Sequence, residues 1–166
     1  MKNITRSSIY MPIAMMILTA AFAFPAAAQQ QVRYNGTLQG SDSDIGSTST
    51  TVTVLTVGTA IGGAPLGQFL LFTQTVTVDI TNGHDTGTAG WFAANGDSIS
   101  TSFAGSGEPT GTPGVFSITE THTITGGTGR FAGATGTFTV KRVASGITFF
   151  TSGSFDGTIT PPGAAK

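Results

Sequence analysis

From about residue 31 onward, apolar and polar side chains alternate with a period of two. Thr75, Thr77 and Asp79 alternate with Val76, Val78 and Ile80, and Ser98, Ser100 and Ser102 alternate with Ile99 and Phe103. Successive side chains of a β-strand point to opposite faces, so this pattern marks strands with one wet and one buried face. Glycine interrupts nearly every stretch of the chain and strong helix formers are scarce, so no segment of this region reads as a helix. The alternation predicts eight strands, at about 31–40, 50–58, 66–80, 86–94, 97–105, 114–126, 134–144 and 147–160.

The residues between these strands carry turn chemistry. Asn95-Gly96, between Trp91-Phe92 and Ile99–Phe103, suits the two positive φ angles of a type I′ hairpin. Asn82-Gly83 marks a longer connection. Gly105 to Gly114 contains Pro109 and Pro113, which cannot donate to an interior ladder, and reads as a loop. Ser41–Gly46 reads as another loop, and Pro161-Pro162 ends the last strand. Eight consecutive strands with short connections suggest a meander. As an open sheet it would leave two unpaired edges, and closure removes them. The expected fold is therefore all-β: an eight-stranded antiparallel up-and-down β-barrel of calycin-like type. A two-sheet sandwich is the alternative.

The N-terminal 28 residues follow a different pattern. Lys2 and Arg6 precede an apolar run from Ile9 to Phe24, and Ala26-Ala27-Ala28 offers small residues for cleavage before Gln29. That order is the order of a secretory signal peptide. The expected organisation is residues 1–28 as signal peptide, 29–160 as the barrel and 161–166 as a C-terminal tail. The expected destination is the periplasm or the medium. Cysteine is absent, so stability must come from packing and strand pairing rather than disulfides.

After removal of the signal, Arg33, Arg130, Lys141, Arg142 and Lys166 face eight acids, a net charge of about −3. A nucleic-acid partner needs a basic face, and this balance excludes one. A membrane-spanning barrel needs a continuous apolar outer surface with aromatic girdles. The threonine and serine alternation, with Trp91 and Tyr34 as poor girdle residues, argues for no transmembrane domain once the signal is gone.

The stretch Gly126-Gly127-Thr128-Gly129-Arg130-Phe131-Ala132-Gly133-Ala134-Thr135-Gly136 joins predicted strands six and seven. Phe131, its one bulky residue, is placed to tuck the turn against a barrel end. As a string, Gly127-x-Gly129-x-x-Ala132 also fits a dinucleotide fingerprint, but a strand follows where that site requires a helix. The motif Gly126-Gly127-Thr128-Gly129, then Phe131, Ala134 and Gly136, resembles the glycine-rich turn of dirigent proteins and, less closely, of allene oxide cyclases. It is most similar to small bacterial exported members of unassigned role. The resemblance implies an eight-stranded antiparallel barrel and a homotrimer. It implies nothing certain about chemistry, since fold does not fix function. The site residues of those families lie outside the matched motif, and none is transferred.

Candidate chemistry lies on predicted strand six. Phe116, Ile118, Glu120, His122 and Ile124 share one face, and Ser117, Thr119, Thr121, Thr123 and Thr125 the other. The apolar members should face the core and carry Glu120 and His122 inward with them. An interior carboxylate is costly unless paired. If Glu120 lies opposite Val140, it is diagonal to Arg142, and an ion pair becomes available. Gln74 shares a face with Leu70, Phe72, Val76 and Val78 and is a second lumen group. Tyr34 shares a face with Val32 and Leu38 and reads as core.

Two metal ligands could come from Glu120-x-His122, but a site needs a third, and His84 and Asp85 fall in a predicted loop; no metal or other cofactor is expected. Asp42-Ser-Asp44 lacks the glycine and distal glutamate of an EF-hand. The ligand-binding candidates are Glu120, His122, Arg142 and Gln74. Three functions stay open: a barrel binding a small apolar or amphipathic molecule without catalysis, a structural or surface-interaction protein with a filled core, and a cyclase- or isomerase-like enzyme using Glu120 and His122.

Overall fold

The computed structural model describes residues 31–63 and 67–160. The predicted signal peptide and C-terminal tail lie outside them. Eight strands follow in order: β1 (Val32–Ser47), β2 (Thr51–Gly62), β3 (Gln68–Asp79), β4 (His84–Ala93), β5 (Ser98–Pro109), β6 (Val115–Gly127), β7 (Gly136–Ser145) and β8 (Phe150–Ile159). Each pairs antiparallel with the next, and β8 returns to pair with β1 from Val32↔Ile159 to Ser41↔Phe150. The sheet is a closed up-and-down barrel, and no strand edge is left for another chain to pair with along the closing seam.

The predicted alternation governs which side chains enter the lumen. On β6, Glu120, His122 and Ile124 are buried, while Thr119, Thr121, Thr123 and Thr125 are exposed. One half of the lumen is packed solid with rings. Tyr34 lies 4.7 Å from Phe138 and 4.8 Å from Phe155 between ring centroids, and Trp91 lies 4.5 Å from Phe72 and 5.2 Å from Phe155. Such pairs each contribute about 0.5–1.5 kcal/mol beyond the area they bury. The glycine-rich connection closes this end. Gly129–Phe131 forms one 3-10 turn, Phe131 is fully buried against Phe69, and the Arg130 guanidinium lies 4.7 Å over the Phe131 ring.

Several local expectations are corrected. Ser41–Gly46 is not a loop: β1 runs on to Ser47, paired with β2 through a bulge between Asp44 and Gly46. Gly105–Pro109 also continues as strand. The neighbouring β4 begins at His84, opposite Ser106, and after the Gly107 N–H donates to the Gly83 carbonyl, β5 is paired with β6 alone. Pro109 ends the strand there, at a position that asks no N–H of it. His84 and Asp85 open β4 rather than lying in a loop. Leu70 faces solvent, because a bulge between Phe69 and Leu71 shifts the parity and puts Phe69 inside. The hairpin at Asn95-Gly96 is not type I′: Gly96 alone has a positive φ, of 85°, and Ala93 N–H donates to the Asp97 carbonyl. That pattern is the three-residue loop with glycine in the left-handed position.

Closure of so small a barrel requires close approach of strands at the lumen surface. Gly87 on β4 is one such point. A Cβ there would collide with the Thr75 carbonyl oxygen and come within 2.5 Å of the Phe103 ring. The backbone oxygen cannot move aside without breaking the β3–β4 ladder. Gly87→Ala is expected to lower stability by about 1–3 kcal/mol, the usual cost of overpacking. Urea denaturation followed by tryptophan fluorescence of Trp91 checks this, and an unchanged midpoint would contradict it.

Candidate functional site

Above the aromatic half, the lumen crosses a layer of polar side chains to which every strand contributes. Asp42 comes from β1, Thr56 from β2, Gln74 from β3, Asp85 from β4, Thr101 from β5, Glu120 and His122 from β6, Arg142 from β7 and Thr151 from β8. Their positions follow from alternation: each occupies a lumen-facing place on a strand whose other lumen residues are apolar or small.

Glu120 is the hub. The β6–β7 register sets it opposite Val140, with Arg142 on the diagonal. Arg142 Nη2 donates to Glu120 Oε1 at 2.9 Å and Nε donates to Oε2 at 3.3 Å, so the guanidinium grips both carboxylate oxygens. Gln74 reaches across the lumen from β3 and donates its Nε2 to Oε1 at 2.7 Å. His122 Nε2 stands 3.7 Å from Oε2, a close contact longer than a hydrogen bond. The His122 ring is held between Phe103 and Phe138, with centroids 4.5 Å and 4.8 Å away, and its Nδ1 shares a 3.0 Å hydrogen bond with the Thr101 hydroxyl. Arg142 also donates from Nη1 to Thr151 Oγ1 at 3.1 Å and lies 3.8 Å from Asp42 Oδ2. Asp42 Oδ1 in turn accepts the Thr56 hydroxyl at 2.6 Å.

The electrostatics separate the carboxylates. Burial pushes the Glu120 carboxyl up, but the adjacent His122 and the Arg142 guanidinium outweigh burial and hold it down at about 2. Asp85 has no such partner. Burial first, and then repulsion from Glu120, raise it to about 6, against smaller opposing pulls from Arg142 and His84. Burial also lowers the Arg142 guanidinium, but Glu120 more than reverses this, so it stays charged.

Beyond this layer the lumen is open. A cavity of about 630 Å³ occupies the end of the barrel opposite the glycine-rich turn. Its walls are Val52, Val54, Val76, Val78, Ile118 and Ala144, and Phe116, Ile80 and Phe149 stand at the mouth. Arg142, Asp42 and Asp85 also line it, and Asp44 and Glu108 add charge. Of the four ligand-binding candidates read from sequence, only Arg142 reaches the cavity wall; Glu120, His122 and Gln74 lie behind it, within hydrogen-bonded or close contact of one another. Asp42 and Asp85 were weighed from sequence only as metal ligands in loops, so their place in the lumen was missed. The signal was present: Asp42 continues the parity of Tyr34 and Leu38, and Asp85 that of Ala89 and Trp91. Among the described residues no three His, Cys, Asp or Glu side chains are grouped to hold a metal ion, and no helix is long and apolar enough to cross a membrane.

No protein-family model matches the chain, and no curated protein matches it in sequence. Its backbone is similar to a solved structure, that of a pterocarpan synthase dirigent protein. The TM-score is 0.53 at 13% identity, over 92% of this chain and 98% of that one. At that identity the likeness is one of fold: the chain has the closed β-barrel architecture of that dirigent protein.

Removing one partner of a buried ion pair leaves the other uncompensated, at a cost of about 3–5 kcal/mol. Glu120→Leu and Arg142→Met are each expected to destabilise by roughly that amount, whereas the double variant loses less than either single one. A double-mutant cycle by denaturant unfolding measures this. Acid behaviour follows from the two carboxyls. Glu120, depressed from 4.5, stabilises above about pH 4.5 and loses that contribution as pH falls toward 2. Asp85, raised from 3.8, costs stability above about pH 6 and is relieved as pH falls through that value. Thermal unfolding should therefore show maximal stability near about pH 4, and Asp85→Asn should abolish the gain between pH 7 and pH 5.

Proposed function

We propose that the protein is an exported dirigent-like barrel that binds a small apolar or amphipathic molecule in the open half of its lumen. The supporting observation is the cavity itself. Its volume of about 630 Å³ falls inside the roughly 300–1,000 Å³ of small-molecule sites, and its apolar walls end on a few convergent polar groups. Arg142 meets the ligand. Glu120, Gln74 and His122 act through Arg142, fixing its guanidinium at the cavity floor. Export rests on the order of charged, apolar and small residues over positions 1–28.

The two other readings have less support. A purely structural barrel accounts for the aromatic half but leaves the apolar chamber without a role. A cyclase- or isomerase-like reaction run by Glu120 and His122 needs the Glu120 carboxylate in contact with substrate and titrating near neutral pH. Glu120 lies behind the cavity wall, with its carboxyl held near 2 by neighbours that occupy its oxygens.

The neutral fluorescent probe N-phenyl-1-naphthylamine is expected to bind one molecule per chain with enhanced emission. Val54→Trp, which fills the chamber from β2, should weaken that binding at least tenfold without lowering the melting temperature. Binding indifferent to this substitution, or no binding at all, would remove the proposal's support.

A further inference from the structure

Asp85 is the one group of the polar layer that the network leaves out. Its residue is 4% exposed, and its Oδ1 is wholly buried without a hydrogen-bond partner. No hydrogen bond or ion pair reaches either of its oxygens among the described residues. The side chain lines the chamber, packed against Gly105 on the facing strand, where a Cβ would come within 2.9 Å of Oδ1. A buried carboxylate without a donor costs several kcal/mol, and a donor entering the chamber would offset that cost.

The surroundings say what kind of group that is. Arg142 does not serve it: three of its five N–H donors go to Glu120 and Thr151, and none of its hydrogen bonds or ion pairs is to Asp85. The remaining charged side chains facing the chamber are Asp42 and Asp44 on β1 and Glu108 on β5, and all are acids. Glu120 on β6 and His84 on β4 complete the titratable groups acting on Asp85, and the lining positions on β2 and β3 are all valine. The chamber therefore has apolar walls, a negative interior and one buried carboxylate lacking a donor.

We infer that Asp85 is the anchoring residue for a cationic amphiphile: an apolar molecule bearing a protonated amine, whose ammonium donates to the Asp85 carboxylate while its body lies against the valine walls. The inference rests on the lumen-binding reading above and names the ligand's chemical class. A charge-assisted hydrogen bond in a desolvated site is stronger than its neutral counterpart, so the amine should be preferred over an alcohol of the same shape. The preference must also weaken as Asp85 takes up its own proton near pH 6.

The test compares octylamine, 1-octanol and octanoate on the full-length mature protein by titration calorimetry. At pH 7.5 the amine is expected to bind at least tenfold more tightly than the alcohol, and octanoate most weakly. In Asp85→Asn, which keeps the side chain's shape, the amine's advantage over the alcohol should fall to about twofold or less. With the native protein, the same advantage should shrink by about tenfold between pH 7.5 and pH 5, a readout that needs no variant. Equal affinity for amine and alcohol, or an advantage that survives in Asp85→Asn, would overturn the assignment while leaving lumen binding intact. Failure of all three compounds, together with failure of the neutral fluorescent probe, would overturn the lumen-binding reading and this inference with it.

Discussion

Closure of the sheet between β1 and β8 confines every second side chain to an interior that eight short strands cannot enlarge. Whatever chemistry the sequence places at lumen positions must be satisfied there, by other lumen residues or by something that enters. The aromatic half meets this demand by packing, save for the Tyr34 hydroxyl and the Trp91 indole N–H, which are buried without a partner. The polar layer meets it by pairing, save for Asp85, and the open half does not meet it at all. The division of the lumen into these three zones follows from the choice of residues along a single parity, repeated eight times.

The Glu120–Arg142 pair sits where the zones meet. Its two parallel contacts, 2.9 Å and 3.3 Å long, satisfy a carboxylate that would otherwise make the packed half untenable. They also present the far side of a guanidinium to the chamber. A buried ion pair is weak as a source of net stability and costly to break. Its value here is positional: Gln74, Thr151 and Asp42 bind it from β3, β8 and β1, so one contact ties distant staves of the barrel together. Stacking of His122 between Phe103 and Phe138 adds a rigid wall behind it.

The barrel architecture is similar to that of a pterocarpan synthase dirigent protein. Function, however, resides in the residues on the scaffold. Here the chamber combines valine walls with acids and one guanidinium already engaged. That composition sets the polarity of any guest more firmly than the fold does.

Strand count, direction and the inward set on β6 were legible in the sequence, because alternation with period two is a local property of the chain. Glu120, His122 and Arg142 were legible for the same reason, since each shares a parity with its apolar neighbours. Where local signals misled, a pairing partner had overruled them. Ser41–Gly46 looks like a loop but is held as strand by β2, and the bulge at Phe69 inverts a parity that the sequence alone would carry through to Leu70. The residues thus determined a closed barrel with a partly polar interior. Only the tertiary structure decided that one half is solid and the other hollow, and that Asp85 stands in the hollow without a donor. Those outcomes depend on register and on volumes summed across eight strands, which no single stretch of sequence contains.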